Sequence, residues 1–267
     1  MDAMAAAGIE PHGDIAPIDG KLIRFRAKGD KAGSRNAWAI LHIHPLPAGA
    51  FGSWRTGESH TWRTKPPVGE TAKSRAERRQ HLELMRLARL AEQSAVQASA
   101  RDRAARLWAT ARPATDAHQY LQIKRVHAYG IRRLRDMLVI PARDAAGVLH
   151  TLQFIGGDGT KRFLTGGRIE GCYCSIGRLI DCLFLCEGYA SAATVHAATG
   201  QAAAACFSCG NLKSVALALR AKFPAVRLVI AADNDAATPG NPGVRHAFAA
   251  AAAAGALVAV PDFGGLA

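Results

Sequence analysis

The sequence is short of acidic residues and has no apolar run long enough for a membrane span. It holds 21 Asp and Glu against 34 Lys and Arg, a formal net charge of +13. Its longest apolar tract, Ala247–Val260, is too short and too rich in alanine to cross a bilayer. The N-terminus also lacks the basic and apolar regions of a secretion signal. We therefore expect a cytoplasmic protein with reduced thiols and no membrane partner.

Cysteine is absent from residues 1–110, which excludes a cysteine-ligated zinc site in that part of the chain. The six cysteines that follow are Cys172, Cys174, Cys182, Cys186, Cys206 and Cys209. The last two have CxxC spacing, but a single such pair is a weak indication of metal binding. We interpret the cysteines as small buried apolar residues, with a zinc site as the alternative.

Positive charge is concentrated in the first half of the chain. Residues 1–135 hold 24 Lys and Arg against 12 Asp and Glu, whereas residues 136–267 hold 10 against 9. A basic half joined to a near-neutral half indicates a polyanion-binding surface beside a second functional region. The alternative is a general bias of the composition towards arginine.

Residues 1–70 predict a β-rich basic module, because short apolar runs alternate with Gly- and Pro-rich turns. Cations and tryptophans are interleaved here, as in proteins that stack bases and neutralise phosphates of a single strand. The candidate nucleic-acid contacts are Arg24, Arg26, Trp54, Arg55, Trp62 and Arg63. The alternative is that the tryptophans form a small core.

Residues 71–112 predict one long helix, since they contain no Gly or Pro and are rich in Ala, Leu, Glu and Arg. We expect a linking helix with a solvated basic face, with a nucleic-acid contact as the alternative.

Residues 113–180 predict a small α+β subdomain. Its hairpin signature is two apolar runs, MLVIPA and VLHTLQFI, separated by Asp-Ala-Ala-Gly. Lys161 and Arg162 follow a second turn, Gly-Gly-Asp-Gly.

Residues 181–267 alternate regularly between apolar strands and helices. The strands are CLFLC, AAAACF, RLVIAA and ALVAVP, and helical segments separate them. This alternation predicts an α/β fold with a buried parallel sheet covered by helices.

Acidic residues are few in this last region, and three of them lie just after strands. Glu187 follows the first strand and is the only acid between Cys182 and Ala232, and Asp233 and Asp235 follow the third strand. Ligands bind at the carboxyl ends of such strands, and carboxylate oxygens suit Mg²⁺ or Mn²⁺. The alternative is that the two Asp residues cap a turn and a helix, but this does not account for Glu187.

Glu187-Gly188-Tyr189 followed by Ala-Ala-Asp-Asn-Asp resembles the Toprim domain. That domain occurs in bacterial-type primases, topoisomerases, OLD-family nucleases and recombination proteins. Its pattern is a Glu after the first strand and Asp-x-Asp after the third. The preceding region, with Lys161-Arg162-Phe163-Leu164, is similar to the segment before Toprim in bacterial replicative primases. The N-terminal stretches resemble plasmid- and phage-borne primase-like proteins.

The resemblance implies a DNA primase, a metal-dependent nucleotidyltransferase acting on a single-stranded DNA template with nucleoside triphosphates. It implies that Glu187, Asp233 and Asp235 are catalytic and bind Mg²⁺ or Mn²⁺. The implied nucleotide- or template-binding residues are Lys161, Arg162, Arg125 and Arg132. A replicative helicase is a further candidate partner, although no Walker A motif occurs in this chain. The alternatives are a Toprim nuclease and a non-catalytic single-strand-binding accessory protein.

Overall fold

The computed structural model describes residues 2–16, 18–43, 46–55, 58–64, 71–238 and 240–262. The chain divides into two compact units, residues 1–90 and residues 91–267, with the boundary inside a long helix. No helix within the described ranges is long and apolar enough to cross a membrane.

The first unit contains a four-stranded antiparallel sheet, the N-terminal sheet. Its elements are α1 (Asp2–Ala6), β1 (Leu22–Phe25), β2 (Ala37–His42), β3 (Ala48–Ser53) and β4 (Glu58–Arg63), with the strands in sequential order. Alternate residues of β2 point inwards, so that Ala37 and Ala39 pack with Phe25 and Phe51 in a small core. The predicted β-rich character of this part of the chain is confirmed.

The predicted long helix is α2 (Ala72–Thr110), which begins in the first unit and ends in the second. Only Ala100 and Ala104 of this helix are buried. Both lie in its last third, where the helix packs on the second unit, and small side chains there permit close approach to the strands beneath.

The second unit contains an antiparallel sheet, the central sheet, with strands in sequential order. The elements of this part are β5 (Arg112–Pro113), α3 (Gln119–Lys124), β6 (Arg132–Leu134), β7 (Met137–Arg143), β8 (Leu149–Ile155) and β9 (Lys161–Phe163). The predicted hairpin is the β7–β8 pair, and nearly every residue of both strands is buried. Such burial follows from the two layers that cover the sheet, which require apolar residues on both faces.

The second sheet of this unit, the parallel sheet, has the strand order β10-β12-β11-β13-β14. Its elements are β10 (Cys174–Ile176), β11 (Cys182–Cys186), α4 (Tyr189–Thr199), β12 (Ala202–Ala205), α5 (Leu212–Lys222), β13 (Arg227–Ala231), α6 (Pro242–Ala254) and β14 (Leu257–Ala259). Strands β11 to β14 are mutually parallel, as predicted, and β10 adds an antiparallel edge. The sequence did not indicate β10, because three residues are too few to show a period.

Buried side chains divide this unit into layers. The C-terminal end of α2 covers one face of the central sheet. The other face packs, with α3, against α4 and one face of the parallel sheet. Helices α5 and α6 cover the remaining face of the parallel sheet. The two sheets therefore share one apolar layer, which fixes β9 of the central sheet relative to the carboxyl ends of β11 and β13.

Candidate active site

The three predicted carboxylates lie at one edge of the parallel sheet, named here the acidic edge and defined by Glu187, Asp233 and Asp235. Strands β11 and β13 are adjacent and parallel, with Cys186 opposite Ala231. Glu187 is the first residue after β11, and Asp233 is the second residue after β13. The strand pairing therefore brings residues that are 46 positions apart in sequence to the same edge.

Two carboxyl groups of the acidic edge, those of Glu187 and Asp233, have raised pKa values. Burial raises the pKa of Glu187, and the charges of Asp233 and Asp235 raise it further. Burial also raises the pKa of Asp233, and Asp235 adds to this effect. Half-buried acids that repel one another in this way are typical of sites that bind a cation.

Lys161 faces these carboxylates from β9 of the central sheet. Its charge lowers the pKa of both Glu187 and Asp233, against the larger effect of burial. Its Nζ lies 3.9 Å from the position that a Cβ on residue 188 would occupy, and Gly188 leaves that space open. The ammonium group is therefore placed to share the acidic edge with an anionic ligand.

Hydrogen bonds from neighbouring elements orient the carboxylates. Ser191 Oγ on α4 donates to Asp233 Oδ1 at 3.3 Å. The backbone N–H of Cys209 donates to the Glu187 carboxylate and lowers its pKa slightly against the effect of burial. Sequence reasoning did not identify Ser191 or Cys209, because no local pattern connects them with the acids.

The loop from β13 to α6 fixes the position of Asp235. Its Oδ2 accepts a hydrogen bond from Gly243 N at 3.2 Å, and its own N–H donates to Asn241 Oδ1 at 3.1 Å. Asn241 Nδ2 in turn donates to Asn234 Oδ1 at 2.9 Å. A Cβ at residue 243 would lie 2.3 Å from the Asp233 carbonyl oxygen, so this contact requires glycine. The Asn-Pro-Gly sequence at 241–243 was an available signal for this turn.

The donor set suits a hard divalent cation. Across the described ranges, no three His, Cys, Asp or Glu side chains form a ready-made metal-binding group. Mg²⁺ does not need one, since it commonly binds through one or two carboxylates together with waters and substrate phosphates. Three neighbouring carboxylates, with the pKa values of Glu187 and Asp233 raised, are chemically compatible with such an ion.

Two of the other predicted cations, Arg162 and Arg132, point away from the acidic edge. Arg162 follows Lys161 on β9 and therefore points to the opposite face of the sheet, where its guanidinium lies 5.9 Å from the Phe154 ring centroid. Arg132 Nη1 donates to Trp108 O at 2.6 Å, at the end of α2. Arg125 is exposed and ends α3 in a left-handed conformation, with φ of 54°.

The predicted contacts in the first unit fall into two groups. Arg24 stacks 4.6 Å from the ring centroid of Trp54, which is 51% exposed. Trp62 is 40% exposed, and Arg63, also exposed, ends β4. These four are available to a ligand.

The remaining two arginines, Arg26 and Arg55, contact a buried turn. Arg26 Nε donates to Asp30 O at 3.0 Å. Arg55 Nε lies 2.8 Å from Asp30 Oδ1, and the Asp30 side chain is 1% exposed. Neither oxygen of that carboxylate has an aligned hydrogen-bond donor among the described residues, so the pairing is one of charge. Both arginines therefore make contacts within this unit.

The cysteines are free thiols, and five of the six are buried. Burial raises the pKa of Cys172 to about 11, and the pKa values of Cys174 and Cys186 to about 12. These thiols therefore stay protonated at neutral pH. This agrees with the interpretation of the cysteines as apolar core residues.

Comparisons with known proteins find one matching domain family and several similar proteins. Residues 182–262 match the Toprim domain family. Two Escherichia coli proteins named DNA primase TraC are 37% and 38% identical to the chain, over 98% and 96% of its length. The chain spans 19% and 25% of the length of those two proteins.

The crystal structure of the primase fragment of the bacteriophage T7 primase-helicase protein superposes with a TM-score of 0.40 and 13% identity, covering 59% of this chain and 69% of that one. The chain is thus similar to DNA primase TraC along nearly all of its length, and its Toprim match falls on the strands that carry the acidic edge.

Proposed function

We propose that this chain is the primer-synthesising core of a DNA primase, which joins nucleotides on a single-stranded DNA template. The observation that carries the proposal is the acidic edge, where Lys161 of the central sheet faces Glu187 and Asp233. The similarity to DNA primase TraC supports synthesis as the reaction at this edge. Because the chain spans about a fifth to a quarter of those relatives, the activity is proposed for this segment alone.

In the proposed reaction a 3′-hydroxyl oxygen attacks the α-phosphorus of a nucleoside triphosphate. A new O–P bond forms, the hydroxyl proton passes to water, the bond from the α-phosphorus to the bridging oxygen breaks, and pyrophosphate leaves with the bonding electrons. Lys161 would neutralise charge on the triphosphate. Ser191 would hold Asp233 in place, and the Cys209 N–H would hold Glu187. Such positioning matters because a small displacement of a catalytic group lowers the reaction rate steeply.

Asp233 and Asp235 would hold a divalent cation, Mg²⁺ or Mn²⁺, with Glu187 as a third ligand. Such ions stabilise the charge on the attacking and leaving oxygens in phosphoryl transfer. Binding a cation would also relieve the repulsion that raises the pKa values of Glu187 and Asp233.

The template would be bound by the basic part of the chain. In the first unit, Trp54 offers a ring for base stacking, and the guanidinium of Arg24 lies over that ring. In the second unit, the exposed Arg125 is a candidate phosphate contact. Within this proposal the segments 1–70, 71–112, 113–180 and 181–267 act as template module, linking helix, primase-core subdomain and Toprim domain.

The proposal is tested by incubating the chain with labelled ribonucleotides, Mg²⁺ or Mn²⁺ and a single-stranded template that carries a different label, then separating the products by length. We expect short labelled products from the native chain. Asp233→Asn should reduce the labelled products to about 1% or less, because the cation would lose a ligand. A bound metal ion contributes several kcal/mol of charge stabilisation in the transition state. The matched control is Asp181→Asn, since Asp181 is exposed at the amino end of β11, opposite the acidic edge.

Two results would contradict the proposal. If the template is shortened and no nucleotide is incorporated, the acidic edge belongs to a nuclease. If the chain binds the template tightly but neither makes primer nor cuts the template with either ion, the chain is an accessory binding protein.

A further inference from the structure

Phe207 has a backbone conformation that its side chain disfavours. It follows β12 with φ of 73°, in the left-handed region that glycine normally occupies. A bulky side chain is rare there, because its Cβ crowds the following carbonyl oxygen. Strained residues of this kind concentrate at functional sites, where the surrounding structure holds them in place.

The loop around Phe207 is firmly held. The buried side chain of Asn211 donates to the carbonyl oxygens of Cys206 at 2.8 Å and Cys172 at 3.0 Å, and accepts from Gly171 N at 2.9 Å. On the other side of Phe207, Cys206 N donates to Cys186 O at 2.8 Å. These contacts fix both ends of the turn, so the conformation of Phe207 is imposed by its neighbours.

The Phe207 ring meets an aromatic ring from the central sheet. Its centroid lies 5.5 Å from that of Phe163, and the two rings are nearly perpendicular, at 82°. Phe163 lies two residues after Lys161 on β9, so the two side chains share the face that meets the acidic edge. Both rings are half-buried, which leaves part of the pair accessible.

Strand pairing places this ring pair beside the carboxylates. Ala205 of β12 is opposite Cys186 of β11, so Phe207 is level with Gly188, one residue beyond Glu187. Lys161 approaches the same Gly188. An anion-binding group and an aromatic surface therefore lie together at the acidic edge, which matches the two chemical parts of a nucleotide.

We propose that the Phe163–Phe207 pair is a stacking surface for a nucleobase at the acidic edge. The inference rests on the proposed function, and it adds a binding residue that the acids and Lys161 do not supply. Every nucleobase has a π-face, so the surface accepts all four bases without selecting one. The base comes either from the incoming nucleotide or from the template, and the test separates these two sources.

The test measures equilibrium binding of ATP and, separately, of a short oligothymidylate to the full chain with Mg²⁺ present. The variants are Phe207→Leu, which removes the aromatic face but keeps an apolar side chain, and Phe207→Tyr, which keeps the face. The matched control is Phe223→Leu, since Phe223 is half-buried at the end of α5. Thermal unfolding of each variant establishes that it is folded.

Phe207→Leu should weaken the binding of one of the two ligands by about 10-fold, which is the usual effect of losing one stacked base. Phe207→Tyr and Phe223→Leu should bind as the native chain does. Weaker ATP binding assigns the base to the incoming nucleotide, and weaker oligothymidylate binding assigns it to the template.

Unchanged binding of both ligands by folded Phe207→Leu would overturn the inference, as would equal weakening by Phe207→Tyr. Primer synthesis is scored separately. If Phe207→Leu weakens binding but the native chain makes no primer, only the proposed function is refuted. Normal synthesis and normal binding by Phe207→Leu would refute only the stacking surface.

Discussion

At the scale of single residues, Glu187 and Asp233 are kept at the acidic edge at a cost to the folded state. Both carboxyl groups have pKa values raised by burial and by repulsion, so the folded chain binds protons more readily than the unfolded chain. Between the unfolded and the folded pKa the folded state therefore loses stability as pH rises, and at higher pH the loss is complete. Acids that destabilise the fold in this way are retained for function.

Asp233→Asn should consequently stabilise the metal-free chain at neutral pH. The amide cannot ionise, so the penalty disappears, and we expect the unfolding temperature to rise by on the order of 2 °C. The gain should shrink as the pH is lowered through the raised pKa of Asp233 and vanish below the ordinary Asp range. Thermal unfolding in chelator at several pH values measures this, and a stability loss at neutral pH would count against it.

Lys161 should act on substrate binding. Lys161→Ala removes the charge that faces the carboxylates, and we expect the KM for nucleoside triphosphate to rise about 10-fold or more. Lys161→Arg should restore part of the loss, because it keeps the charge. Steady-state kinetics compares both with Lys124→Ala, an exposed lysine at the end of α3. An unchanged KM in Lys161→Ala would remove Lys161 from the site.

At the scale of elements, the loop from β13 to α6 determines where Asp235 points. Asn241 has φ of 38°, so Gly can take its place without backbone strain, but Asn241→Gly removes the side-chain bonds to Asp235 N and Asn234. We expect a stability loss of only a few tenths of a kcal/mol, as for other helix N-caps changed to Gly. Calorimetric Mn²⁺ titration should show about 10-fold weaker binding. Unaltered Mn²⁺ affinity would show that the loop does not position the carboxylate.

Helix α4 is joined to the loop between α3 and β6 by one buried hydroxyl. Tyr189 Oη accepts from Tyr129 N at 2.7 Å and donates to His127 O at 2.9 Å. Tyr189→Phe leaves both backbone groups without this partner, and we expect a loss of about 1–3 kcal/mol in the free energy of unfolding. Denaturant unfolding measures it, and a change below 0.5 kcal/mol, about the level of a surface substitution, would contradict the assigned role.

The elements and the acids could be predicted from sequence because their signals are local. Each carboxylate directly follows an apolar strand, and the carboxyl ends of neighbouring parallel strands meet at one edge. Strand alternation also separates Lys161 from Arg162, and this signal is present in the sequence. Ser191, Cys209 and Phe207 reach the site through pairing between distant elements, which no local pattern encodes.

At the scale of the whole molecule, the excess of positive charge in residues 1–135 should dominate binding of single strands. If about five phosphates are neutralised, raising the salt from 50 to 200 mM should weaken oligothymidylate binding by on the order of 100-fold. Fluorescence anisotropy of the full chain measures this slope. Trp54→Ala should weaken binding about 10-fold with the slope unchanged, since it removes a stacking ring and no charge. An affinity independent of salt would exclude a polyanion surface.

The proposed function requires the three carboxylates of the acidic edge to bind a divalent cation for nucleotidyl transfer. Its most direct test is anomalous diffraction from crystals of the chain soaked with Mn²⁺ and a nucleoside triphosphate. We expect a manganese peak within about 2.3 Å of oxygens of Asp233 or Asp235, with the triphosphate between it and Lys161. A peak bound elsewhere, or Glu187 turned away from the Asp233–Asp235 loop with no ion between them, would contradict it.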